Sequence, residues 1–519
     1  MPSDSDKAIY KRYEAAKEGR GIWEETWQEL SEFILPRKSV INTTPTPGEK
    51  RTKRLFDSTA IHANELLASA IQSTLTPSSA LWFMGKVSNK KLMERQDVAV
   101  WCYDVAVAMW EAIKNSNFRS ESFETFLDLP ALGIGSLYAD WDDELYFRSF
   151  FVGDFSIEED AKGNVSAIYR ESKITIRQAH ELWEDKIPQH MKDKLNSSPD
   201  EEVDIVHAVM KRGTLGKFKT KKPIASYYLD VKTKSVIDEG GYDEMPYAIG
   251  RWSKVSGEKY GRGPGNTAIP DIRTLNRAKE LILKKWNKDI DPPIDVPDEG
   301  ISGQYKTFAG AINYVRPDLL GKIRQHEFNV NLNENQINVQ ELKLGINQIF
   351  LVDQLKLRDG PQKTAREVDE LVDQMQRLIG PALSRQEIDL LKVMLMRVYG
   401  LMERRGKLPE KPDILKDEVF DVEFIGPLAK AQRQNEVASV DRWLAQTGGM
   451  AEINQNVLDI PNWDLIVRRY AELDGVPPDL INDEDTVKDN RNQRSEAQSQ
   501  AEQKEMGMEL VKGAMSGQG

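Results

Sequence analysis

The sequence predicts an α+β protein in which helical segments flank a region of short strands. Apolar residues recur at helical spacing over the first quarter of the chain. Short β-prone runs separated by Gly and Asp follow between Gly135 and Trp252, and helical patterns then return and continue to Asp474. At 519 residues the chain is too long for one ordinary core, so several domains are expected.

The composition predicts a globular protein with an acidic surface. Hydrophobic residues make up 39% of the chain, which provides enough apolar surface for stable cores. The net charge of −12 argues against a surface that coats nucleic acid nonspecifically, although it permits local basic elements. No secretion signal is expected, because the opening residues Met1–Lys7 contain no apolar run. No membrane span is expected, because Lys392 and Arg397 interrupt the most apolar stretch. The single Cys102 excludes an internal disulfide and is expected in a core.

The first quarter of the chain is expected to be helical. Between Lys7 and Leu35 the pattern favours two helices, because Gly19 and Gly21 interrupt it. Three further helices are predicted over Ser58–Leu75, Gln96–Asn115 and Ser122–Leu132.

The region of short strands is expected to form antiparallel sheet. Its β-prone runs are Leu145–Val152, Val165–Arg170, Val203–Met210 and Ile224–Asp230. One helix is predicted within it, over Ile176–Trp183.

A Gly-rich loop from Arg251 to Gly265 leads into the next helix. This helix is predicted over Ile269–Ile290, with Pro270 in its first turn, and Asp291-Pro-Pro293 ends it. A compact non-helical insert is expected from Ile294 to Asn331, and a helix from Leu332 to Phe350 follows.

A long helix is predicted after a polar loop that spans Leu351–Lys363. The Thr364-Ala-Arg-Glu367 spacing is typical of a capping box, and the apolar pattern continues to Met402. Gly380 and Pro381 are expected to kink this helix, with two separate helices as the alternative. A strand is predicted between Asp417 and Pro427, and helices follow it. After Asn482 the composition fits a solvated helix or a disordered tail.

Motifs for catalysis or metal binding are missing from the sequence. The five His residues lack metal-ligand spacing, and the segment from Gly257 to Gly265 lacks the Lys-Ser/Thr of a phosphate-binding loop. The acidic run from Asp140 to Glu144 fits a solvated β-turn better than a magnesium site. We therefore expect no enzyme activity, no catalytic residue, no metal and no cofactor.

Short sequence blocks spread along most of the chain resemble one known family in their order and spacing. They are Leu55–Ala60, Leu67–Ile71, Leu75–Pro77, Trp82-Phe83, Arg251-Trp252, Tyr260–Pro264, Ile269–Asp271, Pro292-Pro293, Gly310–Tyr314, Phe350–Asp353, Thr364–Val368, Gly380–Arg385 and Val422–Ala429. On these residues the chain resembles the portal, or head-to-tail connector, proteins of short-tailed, podovirus-type bacteriophages.

The resemblance implies a portal-type ring subunit with a helical stem, a mixed α/β wing, a small clip and a helical C-terminal crown. In order, the implied parts are the wing (1–265), the stem helix (266–290), the clip (291–331), the stem return helix (332–350), the tunnel loop (351–363), the kinked wing helix with its returning strand (364–427) and the crown with its helical tail (428–519).

The same resemblance implies the partners and the place of action. It implies a homo-dodecamer at one capsid vertex of the virion, assembled in the host cytoplasm, with double-stranded DNA passing through its channel without sequence readout. The implied protein partners are a terminase motor, which carries the ATPase, a tail adaptor, and the capsid and scaffold proteins; no membrane is involved. The alternatives are another virion structural protein, such as a tail adaptor or scaffold, and a DNA-processing enzyme.

The candidate DNA-contacting residues lie on the stem helix and in the tunnel loop. At helical spacing one face of the stem helix is apolar, with Ile272, Leu275, Ile282, Leu283, Trp286 and Ile290. The opposite face is basic, with Arg273, Arg277, Lys284 and Lys288, Lys285 at its margin and Glu280 interrupting it. These cations either line the channel or pair with acids of an adjacent subunit. Lys356, Arg358 and Lys363 in the loop are further candidates, with a solvated charged loop as the alternative.

Overall fold

The computed structural model describes most of the chain. The described residues are 3–43, 46, 48–93, 95–212, 222–290, 294–295, 324–325, 332–352, 378–416, 418–451, 453–474, 476, 478–483 and 485–499. The chain divides into two compact units, each built from two stretches of sequence. Unit 1 comprises Met1–Ser73 and Asn117–Arg397, and unit 2 comprises Thr74–Ser116 and Val398–Gly519.

The described residues form helices and antiparallel strands, which confirms the predicted α+β class. The helices are α1 (Asp4–Ile34), α2 (Thr59–Leu75), α3 (Lys90–Met93), α4 (Gln96–Asn115), α5 (Phe118–Leu132), α6 (Ile176–Trp183), α7 (Gln189–Lys192), α8 (Pro264–Ile290), α9 (Leu332–Ile349), α10 (378–386), α11 (Val393–Arg404), α12 (Pro427–Ala451), α13 (Trp463–Asp474) and α14 (485–499). The strands are β1 (Phe83–Val87), β2 (Ile134–Trp141), β3 (Leu145–Phe150), β4 (Phe155–Glu159), β5 (Val165–Thr175), β6 (Glu202–Lys211), β7 (Ile224–Asp230), β8 (Ser235–Tyr242), β9 (Tyr247–Arg251), β10 (Ile294–Asp295), β11 (Arg324–Gln325) and β12 (Phe420–Phe424).

Helix α1 is one continuous helix, so the prediction of two helices in this segment was wrong. It begins with a capping box in which the Ser3 hydroxyl accepts from the Asp6 amide and the Asp6 carboxylate accepts from the Ser3 amide. Glycine in a helix costs only about 1 kcal/mol relative to alanine. Burial of apolar side chains before and after Gly19 and Gly21, among them Trp27, outweighs that cost.

The larger sheet of unit 1 has five antiparallel strands in the order β4-β5-β6-β7-β8 and is covered on both faces. Residues alternate between the two faces along each strand. Val206 and Ala208 of β6 therefore join the core that α1 covers with Tyr13, whereas Ile205 joins the core under Trp183 of α6. The antiparallel β region predicted from the sequence is confirmed.

The smaller sheet of unit 1 has the order β3-β2-β9 and packs against α5. Helix α5 begins at Phe118, earlier than predicted, because the Asn117 amide hydrogen-bonds both backbone groups of Phe147 at 2.8 Å. The helix ends at Gly133, which has a φ of 83° and forms the left-handed C-cap. The run from Asp140 to Glu144 forms the end of β2 and the β2–β3 turn, as predicted.

Helix α8 begins at Pro264, so the predicted start at Ile269 was wrong. Pro264 occupies the first helical position, where a missing amide hydrogen costs nothing, and Pro270 lies inside the helix. The Asn266 side chain accepts from the Gly263 amide at 2.9 Å and closes the helix start. Helix α9 begins at Leu332, as predicted, and packs along α8, and β10 pairs with β11 in the segment between these two helices.

Helices α10 and α11 are joined by a π-helical turn, Glu387–Lys392, which the sequence did not predict. Gly380 and Pro381 lie in α10. Residues 353–377, which precede α10, lie outside the described residues, so the kink remains a prediction. The loop from residue 353 onward and the capping box at Thr364 also lie outside them.

Unit 2 contains a two-stranded antiparallel sheet of β1 and β12, against which α4 packs. Cys102 of α4 is buried, as predicted. Residues 485–499 are helical and exposed, which agrees with the solvated-helix alternative for the tail. None of the helices in the described ranges is both long and apolar enough to cross a membrane.

Candidate functional site: the basic surface of helix α8

The first half of α8 is embedded in unit 1, whereas its second half is exposed. Ile272 and Leu275 are buried where α8 packs against α1, α5 and α9. Farther along the predicted apolar face, Leu283, Trp286 and Ile290 are 41%, 49% and 83% exposed. The second half of α8 therefore presents large apolar side chains that are exposed in the described part of the chain.

The predicted basic face is exposed and pairs with acids of the same chain. Arg277 and Lys284 both contact Glu280, at 2.6 Å and 2.5 Å. Hydrogen bonds from these two cations lower the pKa of the Glu280 carboxyl. Arg273 lies 3.4 Å from Glu29 of α1. Exposed pairs of this kind contribute little to stability. Lysine carries three N–H donors and arginine five, so each cation keeps donors for another anion.

The remaining predicted site residues are only partly described. Lys285 is half-buried on α8, and the backbone of Lys288 continues the helix. Lys356, Arg358 and Lys363 lie outside the described residues.

A second basic element, in a stretch whose sequence indicates only a polar linker, lies against α8. We call it the basic turn: Lys50, Arg51, Lys53 and Arg54. The Asn276 side chain accepts from the Phe56 amide at 2.7 Å and donates to the Arg54 carbonyl at 2.8 Å. One buried side chain of α8 thus holds the last carbonyl of the turn and the amide of Phe56, two residues after it. The sequence signal that could have revealed the basic turn is the presence of four cations among five consecutive residues in a chain that is acidic overall.

The residues after the basic turn connect three helices. The Asp57 carboxylate accepts from the Thr59 amide at 2.8 Å, where α2 begins. It also lies 3.3 Å from the ammonium of Lys343 on α9. Together with the Asn276 contact, Asp57 gives the Leu55–Ala60 block a structural role in joining α2, α8 and α9.

The Gly-rich loop before α8 serves close backbone packing. A Cβ added at Gly263 would lie 2.8 Å from the carbonyl oxygen of Leu129, and one at Gly265 would lie 3.0 Å from the carbonyl carbon of Ala131. Real Cβ atoms almost never approach backbone this closely. The glycines therefore let the start of α8 lie directly on the end of α5, and the buried Tyr260 packs beside them.

Two buried arginines anchor the helical stretch that contains the π-helical turn. Arg251 pairs with Glu159 and lies 3.6 Å from Asp389, and its carbonyl accepts from Gln386 at 2.7 Å. Arg397 likewise binds acids of the smaller sheet and its neighbouring turn. Its partners are Asp140 at 3.1 Å, Glu244 at 3.2 Å and the carbonyl of Ala139 at 3.3 Å.

His207, one of the five His residues, and Asp140, in the acidic run, both make contacts within the fold. His207 is buried between the hydroxyls of Tyr247 and Ser226, and desolvation lowers its pKa to about 3, so it is neutral near pH 7. Asp140 of the acidic run pairs with Arg397. Within the described ranges no group of three or more His, Cys, Asp or Glu side chains is placed to hold a metal ion.

The chain matches one known protein family over most of its length. The family model for "Bacteriophage head to tail connecting protein" matches residues 6–481, so the chain belongs to this family. Both the family predicted from the sequence and the predicted role at the junction of phage head and tail are thereby confirmed.

Two curated relatives match nearly the whole chain. One is the "Probable portal protein" of Bordetella phage BPP-1, which is 28% identical over 96% of this chain and 92% of that protein. The other is the "Portal protein" of Salmonella phage epsilon15, which is 24% identical over 99% of this chain and 95% of that protein.

Solved structures with a similar chain come from gene transfer agent particles. A chain from the virion of a native particle is 13% identical with a TM-score of 0.33, over 79% of this chain and 94% of that chain. A chain from the neck of a native particle, computed with C12 symmetry, has the same identity and TM-score over 81% of this chain and 94% of that chain.

Proposed function

We propose that this head-to-tail connecting protein assembles as a homo-dodecameric portal ring at one capsid vertex. Genomic DNA would pass through its channel during packaging, retention and ejection. The observation that carries the proposal is the chemistry of α8, which combines uncovered apolar side chains with an exposed basic face. A head-to-tail interface whose rotation closes produces a ring. Each exposed cation of α8 is then repeated around the ring axis.

In this proposal the segments of the chain keep the roles expected from the resemblance. Residues 1–265 and 364–427 form the wing, α8 and α9 the stem, 291–331 the clip, 351–363 the tunnel loop and 428–519 the crown. Helix α8 ends at Ile290 and α9 begins at Leu332, which supports assigning the intervening segment to the clip. The kink at Pro381 belongs to the same proposal.

The basic face of α8 suits transient contact with DNA. Lysine and arginine attract phosphates without reading bases. With a Debye length of about 8 Å at physiological salt, such cations act only on DNA close to the wall. Arg273, Arg277 and Lys284 are the exposed candidates on α8, and Lys285, Lys288, Lys356, Arg358 and Lys363 complete the proposed set.

The chain itself is proposed to perform no chemical step and to need no cofactor. The terminase motor would supply ATP hydrolysis, while a tail adaptor and the capsid and scaffold proteins would bind the ring. Assembly would take place in the host cytoplasm. A purified chain that shows ATP- or metal-dependent turnover on DNA would favour a DNA-processing enzyme instead.

Replacement of the exposed apolar residues of α8 tests the ring. We expect Trp286→Asp combined with Ile290→Asp to give monomers in native mass spectrometry, because a buried unpaired carboxylate is costly at an interface. The matched control is Leu182→Asp, which changes a 65% exposed leucine on α6 and should leave rings intact. Intact rings in the α8 variant, or monomers in the wild-type protein at micromolar concentration, would refute the assignment.

Replacement of the basic face tests the channel. The combined variant Arg273→Ala, Arg277→Ala, Lys284→Ala and Lys288→Ala should still form rings, but heads assembled with it should retain less DNA. If these rings fail to form, or if DNA packaging and retention are unchanged, this face of α8 does not line the channel.

A further inference from the structure

The basic turn is an exposed cationic surface whose backbone is held in a defined position on α8. We propose that the basic turn, together with Arg273 and Arg277 beside Asn276, binds the phosphate backbone of duplex DNA. The inference rests on the proposed function, because that function brings duplex DNA to this protein. It adds the basic turn to the stem face and the tunnel loop already named.

The cations of the basic turn outnumber the acids that contact them. Arg54 has an 85% exposed side chain and lies 3.9 Å from Glu32, while Lys53, 66% exposed, lies 2.6 Å from Glu49. Arg51 donates to the backbone carbonyl of Arg37, which carries no net charge. Among the described residues, two carboxylates contact these four cations, so a positive excess remains on this part of the surface for an anionic ligand.

Helix α8 extends this surface on both sides of the Asn276 contact. Arg273 and Arg277 are one helical turn apart, so they project from the same side of the helix. Their side chains are 58% and 62% exposed. The guanidinium group carries five N–H donors, so Arg277 keeps donors beyond its contact with Glu280.

The composition of the turn favours DNA over a protein partner. Residues 48–54 read Gly-Glu-Lys-Arg-Thr-Lys-Arg and contain no apolar side chain. Protein interfaces have an apolar, often aromatic centre and are depleted of lysine, whereas phosphate contacts need only lysine and arginine donors. The surface matches a chain of phosphates better than a protein surface.

Asn276 acts as a positioning residue for this surface. Its amide satisfies the Phe56 N–H and the Arg54 C=O across 220 and 222 positions of sequence. The backbone of the turn is thereby ordered before DNA binds, which reduces the conformational entropy lost on binding. The cations of the turn then keep a fixed spacing from Arg273 and Arg277.

The test compares two variants of the full chain that remove the same charge. The first is Lys50→Gln, Arg51→Gln, Lys53→Gln and Arg54→Gln. The matched control is Arg177→Gln, Lys186→Gln, Lys194→Gln and Lys222→Gln, which changes four exposed, ion-paired cations elsewhere in unit 1. Binding of a short labelled DNA duplex is measured by fluorescence anisotropy between about 50 and 200 mM salt, and native mass spectrometry verifies equal assembly.

We expect the turn variant to bind the duplex at least about tenfold more weakly at low salt, with the control close to wild type. The slope of log affinity against log salt should fall by about 0.9 for each phosphate that the variant no longer neutralises. An unchanged slope, or an equal weakening in the control, overturns the inference while leaving the ring proposal intact. If DNA binding is unchanged and the turn variant instead binds polyglutamate more weakly than wild type, the turn binds acidic protein and the DNA assignment is wrong.

The positioning role of Asn276 has its own readout. Asn276→Ala keeps every cation and should weaken duplex binding severalfold, with faster amide exchange at Phe56. If Asn276→Ala speeds amide exchange at Phe56 but the variant still binds DNA with wild-type affinity, the positioning role is refuted.

Discussion

Replacement of Gly265 by alanine tests whether close backbone packing between α5 and α8 stabilises unit 1. Gly265 is buried in the first turn of α8. An added Cβ would lie 3.0 Å from the Ala131 carbonyl carbon and 3.0 Å from Cδ1 of Ile34, and closer still to the Ala131 oxygen. The isoleucine tip can rotate away, but the Ala131 carbonyl belongs to the backbone of α5. One of the two helices must therefore shift.

The magnitude follows from a comparison with Gly21→Ala, a matched substitution in α1. An added Cβ at Gly21 meets nothing within 4 Å, so this variant should gain up to about 1 kcal/mol from helix propensity alone. The same gain applies approximately to Gly265→Ala, but inserting a methyl group into a well-packed site costs about 1–3 kcal/mol. Gly265→Ala should therefore be less stable than Gly21→Ala by about 1–3 kcal/mol.

Urea denaturation followed by tryptophan fluorescence measures this difference, and amide hydrogen exchange locates it. Faster exchange is expected at the end of α5 and the start of α8 in Gly265→Ala, with no such change in Gly21→Ala. Equal midpoint shifts in the two variants would refute the close-packing explanation of the glycines. Native mass spectrometry of both variants separates an effect on folding from one on assembly.

Three further predictions concern buried groups. Arg397→Met should lower the free energy of unfolding by about 3 kcal/mol, because Asp140 and Glu244 lose a buried cation. A decrease below about 1 kcal/mol, which is typical of a surface ion pair, would contradict this prediction. Burial raises the pKa of the Asp128 carboxyl from 3.8 to about 6, so the folded state favours its protonated form. The stability that this group contributes is present below about pH 4 and is lost as the pH rises through about 6, a change on the order of 3 kcal/mol in the free energy of unfolding. In urea titrations at several pH values, the Asp128→Asn variant should lack this decrease. Parallel pH profiles of the wild-type protein and the variant would disprove the role of Asp128. Burial also raises the pKa of the Cys102 thiol to about 12, so a thiol reagent at pH 8 should modify it only after unfolding, and rapid labelling of the folded protein would show that Cys102 is accessible.

Elements with a strong local pattern were predictable from the sequence to within a residue or two. Helix α4 and strand β7 have the predicted bounds, and so does α6, which begins with a Thr175 capping box. Helical spacing and strand alternation are local properties, and polar or turn residues bound each of these segments. The order of helix, insert and second helix could also be predicted from the sequence, because Asp291-Pro-Pro293 interrupts the helical pattern.

Helix boundaries that depend on packing were not predictable. Two glycines in α1 indicated a break, yet burial on both sides of them keeps the helix continuous. The start of α8 at Pro264 depends on contact between the Gly-rich loop and the end of α5. Local propensity differs by only about 1 kcal/mol per residue, so tertiary contacts decide such cases.

The sequence by itself determined the α+β class, the family blocks, and the segregation of apolar and basic residues on α8. Tertiary structure alone decided which acid of another helix pairs with that basic face and which cations from elsewhere in the chain join it. Glu29 reaches Arg273 from another helix, and Asn276 brings the basic turn to α8 from 222 positions away in sequence. Side-chain periodicity is set by backbone geometry within a few residues, whereas these contacts exist only because chain folding brings distant segments within hydrogen-bonding distance.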